Sequence, residues 1–288
     1  MRIFLLSLLH IGLFTAAFGQ SNNGVVWQRS LGGTSADYPS FTQKTNDGGI
    51  LVLGYSNSQD GDAVSSHGSG DIFIVKLTTD GVVLWKRCYG GPGPDRFNGF
   101  YYDPADGSTV VAGNATVAGG DVPVVNGYQD AWAFKIDANG NLLWTKCYGG
   151  SLHDVFTRVT KAANGDYIFL GTTSSNDGNV SGNHGLNDVW VCRTNAAGTL
   201  LWNKCYGGSQ QDNAVTSGMP GIIETADGNF IIHGQTGSND GDMGGNHGAN
   251  DLCILKISGI NGGIIWNKLL GGNNDEKLAD IRQTNSGE

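Results

Sequence analysis

The segment LLWTKCYGG, residues 142–150, places a lysine, a cysteine and a tyrosine side by side ahead of two glycines. A lysine next to a thiol can lower the pKa of the cysteine and prepare it as a nucleophile. A catalytic constellation is needed once in a chain, whereas an architectural one can recur. The pattern does recur, at 25–33, 83–91, 200–208 and 264–272. Because Ser30 and Leu269 occupy the cysteine position in two of these copies, the segment is interpreted as an architectural repeat, and no catalytic residue is assigned.

A second set of polar residues lies in four loops that align without gaps, at 59–71, 118–130, 176–188 and 239–251. Asp-Gly-Asp or related cores in three of these loops could supply oxygen ligands to Ca²⁺. The candidate calcium ligands are Asp60, Asp62, Asp177, Asp240 and Asp242. The second loop has Gly119 in place of the first aspartate, and plain turns share this composition, so a turn is the alternative interpretation. No other cofactor is expected.

Each of these loops ends in an aspartate that opens a strand. The four residues are Asp71, Asp130, Asp188 and Asp251. Their expected role is to accept backbone N–H groups in a turn. A histidine stands four residues earlier in three loops, at His67, His184 and His247, and Asn126 replaces it in the second. One histidine per repeat forms a metal cluster only if the loops converge, so a His-Gly turn is the simpler interpretation.

Five residues outside the repeat pattern could serve hydrolysis. They are His153, His233, Glu224, Glu276 and Glu288. They form no recognisable Ser-His-Asp set, glutamate pair or zinc-binding motif, so none is assigned to catalysis. The fourth repeat also carries about five extra residues near 216–223, where a loop insertion could make a specific contact.

The repeat is marked by five tryptophans: Trp27, Trp85, Trp144, Trp202 and Trp266. They lie 58, 59, 58 and 64 residues apart. Each period holds four short strand signals, which in the third period are 142–148, 155–161, 166–173 and 188–194. Each run is apolar, β-branched or aromatic and too short for a helix. Tight turns of the Asn-Gly and Asp-Gly type follow the second and fourth strands, and the long loops separate the third from the fourth.

Four antiparallel strands per period predict an all-β fold, a β-propeller of four-stranded blades with a repeat of about 59 residues. The modules are 25–77, 83–136, 142–194 and 200–257, with a partial fifth at 264–288. The fourth strand of each module is nearly continuously apolar, as is typical of a strand covered on both faces. One tryptophan per module is expected to pin neighbouring blades together. Four modules and a part leave the ring incomplete in this chain, which favours a fragment of a longer protein.

Basic residues recur at two positions of the module. One position follows each tryptophan by two residues: Arg29, Arg87, Lys146, Lys204 and Lys268. The other lies five residues after the strand aspartate: Lys76, Lys135, Arg193 and Lys256. Because such repetition is architectural, repeated salt bridges and packing of the aliphatic stems are expected at both.

The first 19 residues carry one charge, Arg2, then an apolar run that ends in small residues. This pattern predicts a cleaved secretory signal peptide at 1–19 and a propeller domain at 20–288, found outside the cell or on its outer surface. The run falls short of the ~20 residues that a membrane span needs, so membrane contact is expected only before cleavage. Without Arg2 the net charge moves from −9 to −10, which excludes nucleic acid as an expected partner.

The positions of the cysteines indicate packing residues rather than disulfides. Cys88, Cys147 and Cys205 occupy equivalent positions one module apart, too far for the ~5.5 Å that a disulfide requires between Cα atoms. A slot filled by cysteine, serine or leucine behaves as a packing position. Cys192 and Cys253 lie in another strand, and pairing of either stays open.

Residues 130–150 fit the pattern D-x-W-x-x-K-x-D-x-x-G-x-x-x-W-x-K-x-x-G-G throughout. This pattern resembles the bacterial seven-bladed β-propeller repeat family and the tandem repeats of large secreted surface proteins of Bacteroidota, which are type IX secretion substrates. The resemblance covers about 22–283. It implies a propeller that serves surface binding or display, and it implies no particular activity.

The run KIDANGNLLW is similar to the tryptophan-docking motif of quinoprotein dehydrogenases, although its aspartate stands one residue closer to the glycine. No quinone or calcium ligand carries over from that family. The leading hypothesis is a non-enzymatic adhesive, ligand-binding or scaffold module whose partner is an extracellular protein or glycan. The alternatives are a propeller enzyme that acts on polysaccharide and a quinoprotein-like propeller. A carboxylate or aromatic residue that breaks the repeat in a loop facing the axis would favour an enzyme, whereas matched loops favour binding or scaffolding.

Overall fold

The computed structural model describes residues 25–214, 221–276, 281, 282 and 284. The chain divides into two compact units, 1–30 and 31–288. In the first unit, residues 25–30 form no strand. The predicted signal peptide lies outside the described residues, as do Glu288 and most of the 216–223 insertion. No helix long and apolar enough to span a bilayer is found in the described parts of the chain.

The second unit consists of antiparallel sheets that follow one another along the chain. Sheet I contains β1 (Asp37–Lys44), β2 (Ile50–Ser56), β3 (Asp71–Leu77) and β4 (Val83–Tyr89). Sheet II contains β5 (Arg96–Tyr102), β6 (Thr109–Ala115), β7 (Asp130–Ile136) and β8 (Leu142–Tyr148). Sheet III contains β9 (Asp154–Lys161), β10 (Tyr167–Thr173), β11 (Asp188–Thr194) and β12 (Leu200–Tyr206). Neighbours in the chain are neighbours in each sheet, so the predicted all-β propeller blades are confirmed.

Sheet IV has its first strand in two pieces. It contains β13 (Asp212–Ala214), β14 (Ile222–Glu224), β15 (Phe230–Thr236), β16 (Asp251–Ile257) and β17 (Ile264–Leu270). Both β13 and β14 pair with β15, one on each side of the extra residues in this repeat. The insertion therefore interrupts the first strand of the sheet and leaves its register with the second strand intact.

The sheets are offset by one strand from the sequence modules. Each tryptophan strand was expected to open a module, yet it pairs with the preceding strand and closes that sheet, as β8 does on β7. The blades therefore span 37–89, 96–148, 154–206 and 212–270, rather than the module bounds read from the tryptophans. The physical reason is the short hairpin before each tryptophan strand, which imposes antiparallel pairing with the strand just completed. Two glycines after each tryptophan strand lead the chain to the next sheet.

Because successive strands are antiparallel, their connections alternate between two ends of the sheets. We call the end that carries the long second-to-third connections and the glycine-pair crossings the loop face. The long connections are 57–70, 116–129, 174–187 and 237–250. We call the other end, with the tight turns, the turn face. Function-bearing polar residues predicted from the sequence lie mainly on the loop face.

Apolar cores fill the spaces between consecutive sheets. One joins Leu53 of sheet I to Phe97 and Phe134 of sheet II, and equivalent clusters lie between II and III and between III and IV. Third strands are sandwiched, and β3 and β7 are almost wholly buried. The outer faces of β1 and β17 are exposed, so the ring of sheets is not closed.

The repeat tryptophans link each sheet to the next at the turn face. Trp85 donates its indole N–H to the carbonyl of Ala138 at 3.0 Å, and its ring covers Gly140, whose φ of 75° suits the hairpin. Trp144 and Trp202 repeat this contact with the hairpins of sheets III and IV. They are half-buried pins on the outermost strand, while Trp27 and Trp266 are exposed. Trp132 and Trp190, each two residues after a strand-opening aspartate, are the fully buried tryptophans of the third strands.

Salt bridges at the turn face join the basic residues of the third strands to aspartates in the first-to-second turns. The predicted bridges of this series are confirmed: Lys76 to Asp47, Lys135 to Asp106, Arg193 to Asp166 and Lys256 to Asp227, at 2.8, 3.8, 2.8 and 2.7 Å. In the other series, Arg87 donates to Asn141 Oδ1 of the next sheet at 2.9 Å. These basic residues are therefore part of the architecture.

Candidate functional site on the loop face

The candidate calcium ligands fasten the long loops to the glycine-pair crossings. Asp177 Oδ1 accepts the backbone N–H of Ser151 at 2.7 Å, and Asp240 Oδ1 accepts that of Ser209 at 2.7 Å. Asp60 accepts both the N–H and the hydroxyl of Thr34. These hydrogen bonds stabilise the ionised carboxylates and lower the pKa of Asp60 and Asp240.

The second residue of each Asp-Gly-Asp core also bonds to the scaffold, through its carboxylate at Asp62 and through its backbone N–H at Asp242. Asp62 accepts the N–H of Gly32 at 3.1 Å and lies 2.5 Å from Lys86 Nζ. The backbone N–H of Asp242 donates to the carbonyl of Gly207 at 2.9 Å. These bonds are those of turns, the alternative named for these segments above, and calcium binding by these residues stays a prediction. In the described ranges, no three His, Cys, Asp or Glu side chains converge as a ready metal centre.

The strand-opening aspartates are fully buried and hold the ends of the long loops. Oδ2 of Asp188 accepts both the backbone N–H of His184, at 3.1 Å, and the ring Nδ1, at 2.7 Å. Asn126 donates its own backbone and amide N–H groups to Asp130 in the same way. The amide nitrogen of asparagine therefore replaces the imidazole Nδ1. This substitution identifies the histidines as turn donors, as the His-Gly interpretation expects.

A second series of acids lies at the end of the glycine-pair crossings, where Asp95, Asp154 and Asp212 are fully buried and Asp37 and Glu276 are half-buried. These residues stand five positions after the first glycine of each crossing: Asp37, Asp95, Asp154, Asp212 and Glu276. Asp154 accepts the N–H of Gly150 and the hydroxyls of Thr173 and Ser175, and Asp212 has the equivalent three donors. Sequence reasoning missed this series, although its spacing from the glycine pair was a visible signal.

The two series of acids meet at each crossing between sheets. Asp71 Oδ1 and Asp95 Oδ2 lie 2.8 and 2.7 Å from the point that a Cβ on Gly90 would occupy. Asp130 Oδ1 and Asp154 Oδ2 lie 3.0 and 2.6 Å from the same point on Gly149. A side chain at either glycine would collide with both carboxylates. The glycine pair is therefore required for space beside a buried acid pair.

Asp95 differs from its counterparts because the hydroxyl donors are missing. Ala115 and Val117 occupy the positions of Thr173 and Ser175, so both hydroxyl donors are missing, and the N–H of Gly91 donates to Asp95 at 2.6 Å. Its Oδ1 atom is buried and unpartnered. Burial raises the pKa of Asp95 to about 7, and the charge of Asp71 adds to this shift. Burial also raises the pKa of Asp121, Asp130 and Asp188.

An exposed aromatic pair breaks the repeat on the same face. Tyr128 is 71% exposed, and its ring stacks on His153 with centroids 5.4 Å apart and planes 17° from parallel. The residues aligned with Tyr128 are Ser69, Leu186 and Ala249, and those aligned with His153 are Ala36, Pro94 and Gln211. Exposed Val117, Val124 and Leu152 belong to the same loop and crossing. Sheets II and III thus present an aromatic platform that the other crossings lack.

An open groove of about 410 Å³ runs between sheets III and IV. Its lining includes His184, Lys204, Asp242 and Ile264. The mixture of charged and apolar groups makes it a second candidate surface for a small ligand.

The thiols of the repeat segment are poor nucleophiles. All five cysteines are free, including Cys192 and Cys253. Burial raises the pKa of Cys88, Cys147, Cys205 and Cys253 to about 12, and it also raises the pKa of Cys192 well above its ordinary value. Lys146 therefore does not activate Cys147, in agreement with its interpretation as a packing residue.

The four described residues that were singled out as nonrepeated hydrolytic candidates lie apart. His153 is on the loop face, whereas Glu224 accepts the N–H of Ala163 at the turn face. His233 is buried in β15, and Glu276 belongs to the acid series of the crossings. The structure therefore does not assemble them into one site.

No protein-family model and no curated protein matches the chain. Solved propellers are similar in fold. The propeller of Dos1 aligns with 78% of this chain and 43% of its own, at 10% identity and a TM-score of 0.40. A protein of unknown function from Bacteroides caccae aligns over 82% and 83%, at 14% identity and a TM-score of 0.30. Quinohemoprotein alcohol dehydrogenase from Comamonas testosteroni aligns over 78% and 45%, at 11% identity and a TM-score of 0.41.

This chain spans less than half the length of the Dos1 and Comamonas structures. At such identities the likeness concerns the fold alone, and no activity passes from these proteins to this one.

Proposed function

We propose that this chain supplies the ligand-binding face of a secreted or surface-displayed, non-enzymatic propeller that adheres to a glycan. The observation that carries the proposal is the exposed Tyr128 ring, held flat by stacking on His153. A fixed aromatic ring loses little conformational freedom when it binds, and its apolar face suits the C–H face of a sugar ring. The same crossing in the other sheets serves as a scaffold without this ring.

The chemistry of the surrounding residues supports binding over catalysis. The repeated aspartates and histidines of the loop face are engaged in turns, and the thiols are buried or half-buried with raised pKa values. Asp95 carries the raised pKa that suits a general acid, but it is fully buried beside Gly90 and cannot touch a polymeric substrate. A repeat-breaking aromatic residue was the feature named above as favouring an enzyme, so cleavage must be measured directly.

Glycan array binding tests this proposal. Wild-type protein is expected to bind a restricted set of glycans, and Tyr128→Ala is expected to lose most of that signal. Leu186→Ala is the matched control, because Leu186 holds the aligned position in sheet III and is 56% exposed. Lys204→Ala tests the groove between sheets III and IV. Absence of glycan binding, or equal binding by wild type and Tyr128→Ala, would contradict the proposed site.

A reducing-end assay on each bound glycan separates adhesion from cleavage. We expect no release of reducing ends. Release that disappears in Tyr128→Ala would assign the platform to a polysaccharide-degrading enzyme instead.

Export and surface display form part of the same proposal. They rest on the signal-peptide pattern at 1–19 and on the repeat resemblance to Bacteroidota surface proteins that use type IX secretion. The full-length reading frame tests this part, because a C-terminal sorting domain is expected downstream of the repeats. Cytoplasmic retention of the complete protein would contradict it.

A further inference from the structure

The crossings between sheets hold buried carboxylate oxygens that have no donor. They belong to the acid pairs Asp71 with Asp95, Asp130 with Asp154, Asp188 with Asp212 and Asp251 with Glu276. In every pair, the Oδ1 atom of the strand-opening aspartate is buried without a hydrogen-bond partner. These four aspartates are completely buried, and the free oxygen lies beside the partner carboxylate. Because the hydrogen-bond donor is missing at four equivalent positions, the unpartnered oxygen is a repeated feature of the fold.

Two carboxylates whose oxygens both lie within 3.0 Å of the same point beside a glycine require a compensating positive charge. Desolvation and mutual repulsion disfavour both ionised forms unless a proton or a cation lies between them. Asp212 accepts three donors and Asp188 accepts two on its other oxygen, and such bonds stabilise ionised carboxylates. The hydrogen bonds therefore favour a cation over a shared proton at this crossing.

Lysine and arginine side chains do not supply that charge. The salt bridges found in the described parts of the chain join none of these acids to a lysine or an arginine. A protonated His184 could neutralise Asp188, but the equivalent donor to Asp130 is the neutral Asn126. The crossing between sheets II and III keeps its acid pair without a histidine. A protonated histidine therefore cannot be the group that neutralises the acid pair at every crossing.

We infer that each crossing binds a hard cation, Ca²⁺ in an extracellular setting, between its two buried carboxylates. Carboxylate oxygens are the preferred protein ligands of Ca²⁺, and neighbouring carbonyls and water complete the coordination. Only two side chains contribute at each site, so the affinity belongs to the weak, submillimolar to millimolar class of extracellular modules. This site differs from the candidate loop ligands Asp60, Asp62, Asp177, Asp240 and Asp242. The carboxylates of the first four accept N–H groups of the crossings, and the Asp242 segment is held by its backbone N–H.

Such an ion lies where the outermost strand of one sheet passes to the first strand of the next. It contacts both sheets and would tie them together at the loop face, opposite the tryptophan contacts of the turn face. Binding to the folded state alone raises the melting temperature in proportion to ln(1 + [Ca²⁺]/Kd). The ion therefore stabilises the array without taking part in ligand recognition.

Thermal unfolding of the full chain with EDTA and with increasing CaCl₂ tests this inference. Tm is expected to rise by several degrees at millimolar Ca²⁺, and KCl at equal ionic strength is expected not to reproduce the rise. Tb³⁺ luminescence provides a second readout that needs no unfolding. If Ca²⁺ does not change Tm and the protein does not enhance Tb³⁺ emission, the cation site is contradicted, and a proton shared by the two carboxylates is the remaining explanation.

Paired variants locate the ion. Asp188→Asn and Asp212→Asn each remove one of the four sites. Each is therefore expected to reduce the Tb³⁺ emission and the Ca²⁺-dependent Tm rise by about a quarter. Asp177→Asn in the same loop is the control, because it removes a loop carboxylate and keeps the acid pair. Loss of the Ca²⁺ effect in Asp177→Asn with retention in Asp188→Asn would overturn the assignment in favour of a loop site. His184→Asn, which copies sheet II, is expected to retain the effect.

Discussion

The indole N–H of Trp144, on the outermost strand of sheet II, donates to the carbonyl of Ala196 in sheet III at 3.1 Å. Tyr148 on the same strand donates its hydroxyl to the carbonyl of Gly198, so two side chains hold one hairpin of the neighbouring sheet. The contact crosses between sheets whose strands do not pair with each other, and it lies at the end opposite the backbone hydrogen bond from Asp154 of sheet III to Gln129 beside sheet II. The contribution of this inter-sheet contact to stability can therefore be measured by substitution.

Trp144→Ala is expected to lower the free energy of unfolding by about 2–3 kcal/mol, because it removes half-buried apolar area and one hydrogen bond. Cys147→Ser in the same strand is expected to cost about 1 kcal/mol or less, as a small change at a packing position. Urea unfolding of both variants measures the difference. Trp144→Phe is an intermediate control, since it keeps the ring and loses the donor. Equal stability of the alanine and serine variants would contradict the inter-sheet joint.

The ion pair between Asp47 and Lys76 is expected to contribute stability that is lost in acid. Hydrogen bonds from Lys76, Thr45 and the N–H of Gly49 lower the pKa of Asp47 below its ordinary value. A lowered folded-state pKa stabilises the protein above the unfolded pKa of about 4, and this stability is lost as the pH falls further. The difference in Tm between wild type and Asp47→Asn is therefore expected to be largest near neutral pH and to narrow below pH ~4.

Asp106→Asn is the comparison for that pH series, because its partner Lys135 lies farther away, at 3.8 Å. It is expected to change Tm less than Asp47→Asn does. A Tm difference between wild type and Asp47→Asn that is constant with pH would show that the ion pair does not contribute.

The cysteines are expected to resist alkylation in the folded state. Burial raises the pKa of Cys147 to about 12, which leaves almost no thiolate at pH 8. Iodoacetamide treatment followed by mass spectrometry is expected to show little modification of native protein and five modified cysteines after unfolding. Rapid modification of native Cys147 would contradict its burial and revive a reactive role.

Hydroxyl donors can be restored to Asp95. The double substitution Ala115→Ser and Val117→Ser copies Ser56 and Ser58, which donate to Asp37 in sheet I. Satisfying the buried Oδ1 of Asp95 is expected to raise the free energy of unfolding by about 1 kcal/mol, since an unpaired buried acceptor is costly. Chemical denaturation at pH 8 in EDTA measures the gain. The reverse change in sheet III, Thr173→Ala with Ser175→Val, is expected to destabilise the protein by a similar amount.

Much of the architecture could be predicted from the sequence because the repeat supplies five views of the same segment. The tryptophan spacing and the Asp-Gly turns located the strands to within one or two residues, as at 166–173 against Tyr167–Thr173. The blade boundary was displaced by one strand, because a period shows the order of strands without showing where one sheet ends. Pairing across the hairpin that precedes each tryptophan strand decides this. The tight turn was predicted from the sequence, but the structure is needed to show that the two strands belong to the same sheet.

The candidate site was harder to predict. The Asp-Gly-Asp residues attracted attention because they resemble calcium ligands, yet most bond to backbone N–H groups of the adjacent crossing. The acids at Asp95 and Asp154 begin strands and carry no motif, and only three-dimensional packing brings them beside Asp71 and Asp130. Tyr128 could have been found as the one aromatic residue at its aligned position, but its stacking on His153 depends on the crossing geometry.

The one-strand offset between repeat and sheet has a consequence for how such an array can change in length. A recombination event between two tryptophan strands removes or adds one period and creates one hybrid sheet, with its first three strands from one copy and its last strand from another. The last strands VLWKRCY, LLWTKCY and LLWNKCY are nearly interchangeable, so the hybrid keeps its pairing and its packing. Gene duplication could therefore lengthen or shorten the array by whole periods, and each product would still fold.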